Sequence, residues 1–265
     1  MSLSNKIRGL REVWLFDNRL WLAVTRVFFR NETLQVYRYN GIEFLTDHAG
    51  GDANGAREVF ATDMYRRFIP QMAFPGPINV LDLGANNGGF PLLLHAAGLD
   101  LKRVVSVELN PQTFLRLEFN LKRNLECDVF PLNAALCGSD RTIEVSLGKG
   151  SVSDSIYQDP SMPVNNQNRY SIRGRTLDHF ADEYFPGEVI DICKIDVEGA
   201  EFEVFAGDGI AALARCRYLI MEIHERDGRR KEEIVPVIES MGLAYHPPGP
   251  DADPTVHFFV NSKQL

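Results

Sequence analysis

The sequence has little cysteine, little tryptophan and no long apolar run, and each shortage excludes something. Its four cysteines, Cys127, Cys137, Cys193 and Cys216, form no CxxC pair and no metal-knuckle spacing. They fit a reducing compartment, and a soluble, cytoplasmic protein is expected. No secretory signal is read at the start, where a charge-interrupted segment stands in place of an apolar h-region. The longest uncharged window, residues 83–99, is broken by Gly84, Gly88, Gly89, Pro91 and Gly98, whereas a bilayer span needs roughly 20 mostly apolar residues. Positive charge is also short. The chain has 28 Lys+Arg against 36 Asp+Glu, net −8, which disfavours a nucleic-acid partner held through phosphates. There is no i, i+4 histidine pair, so no metal is expected. A divalent ion, if one were held, would fall to Asp196, Glu198, Glu222 and His224.

What is present describes a globular chain. Its 265 residues, 45% hydrophobic and 24% charged, suffice for a large core. Residues 1–76 read as an N-terminal unit of helix, β-hairpin and capping helix, and residues 77–265 as the main domain. The first thirty residues carry net charge +4 and the remainder −12. Ile7, Leu10, Trp14, Trp21, Val24 and Phe28 recur there at helical spacing. Such a basic amphipathic helix can lie on an anionic membrane. The alternatives are packing on the main domain or a homodimer interface.

LQVYRY and IEFLTD, joined by Asn40-Gly41, read as a hairpin with a type I′ turn. A helix is expected over residues 56–68. From residue 78 strands and helices alternate, as in INVLDLG, RVVSVEL and DICKIDV, which implies a mainly parallel sheet covered on both faces. The closing pair LAYH and VHFFVN is separated only by a loop, so the last strand should run antiparallel. Residues 148–173, rich in Ser, Asn and Pro and holding Tyr157 and Tyr170, are the candidate acceptor lid.

Chemistry concentrates at four places. Asp82, Gly84, Asn86 and Gly88 lie on a strand-to-helix turn of the kind that admits a ligand at the carboxyl edge of a parallel sheet. Asn86 stands where a dinucleotide-binding GxGxxG would have its second glycine. Glu108 ends the next strand, in place to accept both hydroxyls of a ribose. In DICKIDVEGAE, alternation puts Lys194 and Asp196 on one strand face, where the lysine needs a partner. Glu222 and His224 end the following strand. His224 is the first candidate for a general base, with Asp196 or Glu222 behind it.

VLDLGANNGGF, VVSVELNPQTFLRLEFNLKRN, PLNAAL, RTLDHF and KIDVEGAEFEVFAG together resemble the FkbM family of S-adenosylmethionine-dependent methyltransferases. The resemblance runs from Asn79 to about His224. It implies an α/β, Rossmann-like class I methyltransferase fold: a seven-stranded sheet, mostly parallel with an antiparallel last strand, preceded here by the N-terminal helix and β-hairpin. It implies S-adenosylmethionine as cofactor. Asp82, Gly84, Asn86 and Gly88 would surround its methionine half, Glu108 with Leu109 and Asn110 its ribose, and Asn133 and Ala134 its adenine. Asp196 would close the site near the amino group, and Glu58 would face it from the preceding helix. Asn87 departs from the family pattern, which more often has a bulkier residue there. The activity implied is O-methylation of a sugar, glycan or natural product, with a small-molecule or saccharide acceptor. The competing expectations are a nicotinamide-dependent oxidoreductase and a non-catalytic membrane-surface or cofactor-binding module.

Overall fold

A computed structural model describes residues 12–29, 33–50, 55–146, 169–249 and 252–265. At its centre is a seven-stranded sheet. Seven buried, β-rich segments form it: β3 (Ile78–Leu83), β4 (Leu101–Glu108), β5 (Asp128–Asn133), β9 (Ile190–Ile195), β10 (Cys216–Glu222), β11 (Ala244–His246) and β12 (Val256–Val260). The order is β11-β12-β10-β9-β3-β4-β5. The five strands from β10 to β5 run parallel, and β12 is antiparallel to both β10 and β11. The expected antiparallel ending is present. The strand order runs from β3 outward through β4 to β5 and then from β9 on the other side of β3 to β10, so the crevice opens at this switch, beyond the carboxyl ends of the strands.

The sheet is apolar on both faces, as parallel strands require. Val80, Val104, Ile192 and Ile220 join one cluster with Leu92 of α3 (Gly89–Ala96) and Leu117 of α4 (Pro111–Asn124). Leu81, Val105, Cys193 and Leu219 join another with Phe180 of α5 (Leu177–Tyr184), Phe202 of α6 (Glu201–Ala206) and Ile238 of α7 (Val235–Ser240). Helix α4 begins where its sequence says it should. Asn110 caps it by accepting from the Gln112 and Thr113 amides, and Pro111 occupies the first turn.

The N-terminal segments share the first cluster. Phe16, Tyr37 and Phe44 pack with Phe60 and Ile78 in it. Helix α1 (Arg19–Phe28) precedes the hairpin of β1 (Leu34–Tyr39) and β2 (Ile42–Asp47), whose turn puts Asn40 and Gly41 at positive φ as the Asn-Gly dipeptide predicts. Asparagines fasten the hairpin to the main domain. Asn120 Nδ2 donates to Leu45 O and Asn87 O, and its Oδ1 accepts the Leu45 amide. The atypical Asn87 is fully buried; it donates to Leu45 O and Thr46 Oγ1 and accepts from the Ala56 amide. A side chain without an amide could not make all of these bonds.

Several boundaries differ from expectation. The helix expected over residues 56–68 stops as α2 (Ala56–Ala61). Thr62 goes extended and its hydroxyl accepts the Met64 amide, and a 3₁₀ turn, Arg66–Gln71, follows. The break aims Tyr65 inward. Helix α6 ends before Gly207, and a 3₁₀ turn, Ala211–Arg215, follows. PLNAAL divides too: β6 (Ala135–Leu136) leaves the main sheet for a three-stranded one, β6-β8-β7, with β7 (Arg141–Ser146) and β8 (Arg169–Arg175). Of the candidate lid, residues 148–168 with Tyr157 lie outside the described residues. Tyr170 is in β8, paired with Val145.

Candidate active site

The glycine-rich turn is built by backbone that only particular residues tolerate. Gly84 sits at φ +81° and an added Cβ would lie 1.7 Å from Asp196 O, so β3 and β9 meet there without room for a side chain. Asn86 is left-handed at φ +47° and Gly88 at +90°. The Gly84 and Ala85 amides donate to Val107 O, and the Asp196 amide donates to Leu83 O. Three strand ends are thereby laced together at one rim.

Glu108 completes the lacing. Its carboxylate accepts from the Asn86 amide at 2.9 Å and the Asn110 amide at 2.7 Å. Next to it, Asn133 Nδ2 donates to Glu108 O and Leu109 O, and the Ala134 amide donates to Glu108 O. The structure therefore brings Asn86, Glu108, Leu109, Asn110, Asn133 and Ala134 to one end of the sheet.

The cleft beside this rim is lined by Glu58, Tyr65, Gly84, Asn86, Lys194, Asp196, Glu198 and Glu222 among others. Gly88 is not in its lining; Gly89 is. Asp82 is not in the lining either. Its fully buried carboxylate lies 3.4 Å from Lys194 Nζ, so it acts on the cleft through the lysine. Lys194 is also 3.4 Å from Asp196 and donates to Gly84 O at 2.9 Å. One buried ammonium thus orders the turn and two carboxylates. Burial disfavours its charge, but Asp82, Asp196 and Glu222 outweigh that and hold its pKa well above the ordinary value.

His224 and Glu222 come together as their shared strand end implies. His224 Nδ1 is 2.9 Å from Glu201, a fully buried carboxylate, and Nε2 is 3.7 Å from Glu198 and 3.8 Å from Glu222. Burial pulls the imidazole down, but the bond to Glu201 and the charges of Glu201, Glu198 and Asp196 push it up to about 9. It therefore carries a proton at neutral pH. Glu222 is pushed up to about 8, by burial and then by Asp196, and it accepts a hydrogen bond from Tyr65. Glu198 rises to about 7, by burial and the charge of Asp196. Atoms of Asp196, Glu198 and His224 lie within 4.8 Å of one another. Three of the four residues to which a divalent ion would fall thus come together as a ligand-type triplet.

One residue of the cleft was hidden in the sequence, and another was named there only as a possible metal ligand. Tyr65 comes from the segment before the sheet, 157 residues from its partner Glu222, and nothing local marks it. Glu198 was visible only as one acid in a cluster. Its φ of +53° is rare for a residue with a long side chain and is the kind of strain that gathers at functional sites.

Because these groups bind protons more tightly folded than unfolded, they set a slope of stability with pH. Contributions of raised pKa values are fully present below the unfolded values, near 4.5 for the acids and 6.5 for His224, and are lost as pH rises through about 7, 8 and 9. We expect the urea midpoint to fall between pH 6.5 and 9, and to fall less in Glu222→Gln. A flat profile for the native chain would contradict these shifts.

The FkbM methyltransferase domain model matches residues 82–245. The AMB antimetabolite synthetase AmbE of Pseudomonas aeruginosa is 29% identical over 204 residues, taking in 65% of this chain and 10% of that protein. The chain thus spans about a tenth of the length of this relative. The crystal structure of methyltransferase FkbM from Methylobacillus flagellatus KT superposes with a TM-score of 0.51 at 15% identity, over 77% of this chain and 52% of that one. Aeropyrum pernix fibrillarin, solved with S-adenosyl-L-methionine bound, superposes more loosely, with a TM-score of 0.41 at 17% identity, over 86% of this chain and 82% of that one.

Proposed function

The chain belongs to the FkbM methyltransferase family, and from that premise we propose that it moves a methyl group from S-adenosylmethionine to a hydroxyl of a sugar, glycan or small natural product. The observation that carries the reading is the acid-lined cleft at the glycine turn. S-adenosylmethionine is cationic at sulfur and at its amino group, and Glu58, Asp196, Glu198 and Glu222 line that cleft. Asp196 Oδ1 is buried and takes no hydrogen bond, leaving an acceptor for an ammonium. Asp196 and Glu58 would hold the methionine end against Gly84 and Asn86. Glu108, with Leu109 and Asn110, would take the ribose, and Asn133 and Ala134 the adenine.

When bound, the cofactor supplies a methyl already activated for in-line displacement. The protein must align the acceptor, exclude water and remove one proton. Tyr65, which burial keeps protonated, donates to Glu222, and Glu222, largely protonated with its pKa at about 8, keeps its own proton as a donor on the cleft wall that can orient an acceptor oxygen. Glu198 is the base. It lines the cleft and titrates at about 7, where a base is both ionised and basic enough to work. His224 is a positioning residue whose charge keeps Glu198 from rising further.

The test is a pH–rate profile with S-adenosylmethionine and a panel of hydroxylated acceptors. The rate should rise with pH through about 7. Glu198→Gln should lower kcat by roughly 10²-fold while S-adenosylhomocysteine still binds. His224→Asn should move the inflection upward; if it erased the inflection instead, the histidine would be the base. Product analysis showing methyl on nitrogen or carbon would replace the O-methylation reading.

A further inference from the structure

The N-terminal helix does the opposite of what surface helices usually do with an apolar stripe. Helix α1 buries Leu22 and Thr25, while Leu20, Trp21, Val24 and Phe28 face solvent, with Phe28 three-quarters exposed. These positions fall at i, i+1, i+4 and i+8, one face of a helix. Trp14 and Phe29 extend the exposed surface, and Trp21 lies against Phe29. Asn18 ties the helix start to β1 by donating to Val36 O and accepting from the Arg38 amide. On that strand Leu34 and Val36 are exposed as well. Monomers seldom leave so many large apolar side chains together in water.

Charge argues for what covers them. Six Lys and Arg stand among the first thirty residues against Glu12 and Asp17, while the remainder of the chain is strongly acidic. Arg19, exposed, lies over the Trp14 ring at 5.5 Å. A second copy would bring two segments of net charge +4 together. An anionic lipid surface instead meets the arginines with phosphates and gives Trp and Phe the interfacial setting they favour. We propose that α1, with Trp14 and the exposed Leu34 and Val36 of β1, docks this protein on anionic membranes. The cleft is then held near acceptors that reside at a bilayer. Docking stands on this geometry alone and would hold whatever the reaction.

The chain contains only two tryptophans, and both lie in this surface, so intrinsic fluorescence reports on it without labels. Full-length protein is mixed with vesicles of phosphatidylcholine, alone or with one-third phosphatidylglycerol, and followed by emission and flotation. Emission should be solvent-like without lipid, shift to the blue and be quenched by brominated lipid on anionic vesicles, and revert in high salt. Leu20→Glu with Phe28→Glu, both at exposed positions, should cut vesicle partitioning at least about tenfold with the circular dichroism spectrum unchanged. Emission that stays solvent-like with anionic vesicles, or no loss in the double variant, would overturn the proposal. So would blue emission without lipid that grows with protein concentration, because a second copy would then cover the face.

Discussion

Lys194→Met should destabilise the protein by about 3–5 kcal/mol, the cost of leaving a buried carboxylate without its partner. Lys194 is 4% exposed and Asp82 not at all, and 3.4 Å separates Nζ from Oδ1. Neither Asp82 oxygen takes a hydrogen bond, so the ammonium is its stabilising neighbour among the described residues. Burial raises Asp82, and Lys194 opposes the rise. Removing the lysine forces Asp82 to take up a proton, and it frees the Gly84 carbonyl at the turn. Adding Asp82→Leu should recover part of the loss, because an apolar pair of similar volume often replaces a buried ion pair at little cost. Urea unfolding measures both variants. A loss below about 1 kcal/mol for Lys194→Met would mean that the ammonium does not hold this corner.

Glu108→Ala should weaken S-adenosylhomocysteine binding by about a hundredfold or more. Two effects combine. The proposed ribose contact disappears, where each hydrogen bond to a carboxylate contributes about 1.5–3 kcal/mol. The turn and the first turn of α4 also come apart, because the carboxylate joins the Asn86 and Asn110 amides. Glu108→Gln separates them. It retains an acceptor for one amide but turns a donor toward the other, so it should bind worse than native and better than alanine. If alanine bound as tightly as native while unfolding normally, the ribose would lie elsewhere.

The parts legible in the sequence are those whose cause is local. Helix α4 starts where its own residues direct, because Asn110, Pro111 and the apolar spacing act within one segment. The carboxyl ends of β3, β4, β9 and β10 carry Gly84, Glu108, Asp196 and Glu222 because a parallel sheet delivers every strand end to one edge. Alternation correctly put Lys194 with Asp196. What stayed hidden depends on distant contacts. Tyr65 matters only because β10 brings Glu222 to it. The protonated state of His224 depends on Glu201, whose burial no spacing reveals. The stripe of α1 was legible as a period, but which side of it faces solvent was decided by Leu22 and Phe16 entering the core.

The central claim is that this cleft binds S-adenosylmethionine, and calorimetric titration of the cofactor and of S-adenosylhomocysteine into the native chain tests it most directly. Saturable one-site binding of both is expected, at micromolar affinity or tighter, with no heat from NAD. A folded protein that binds neither, or that binds NAD in their place, would contradict it.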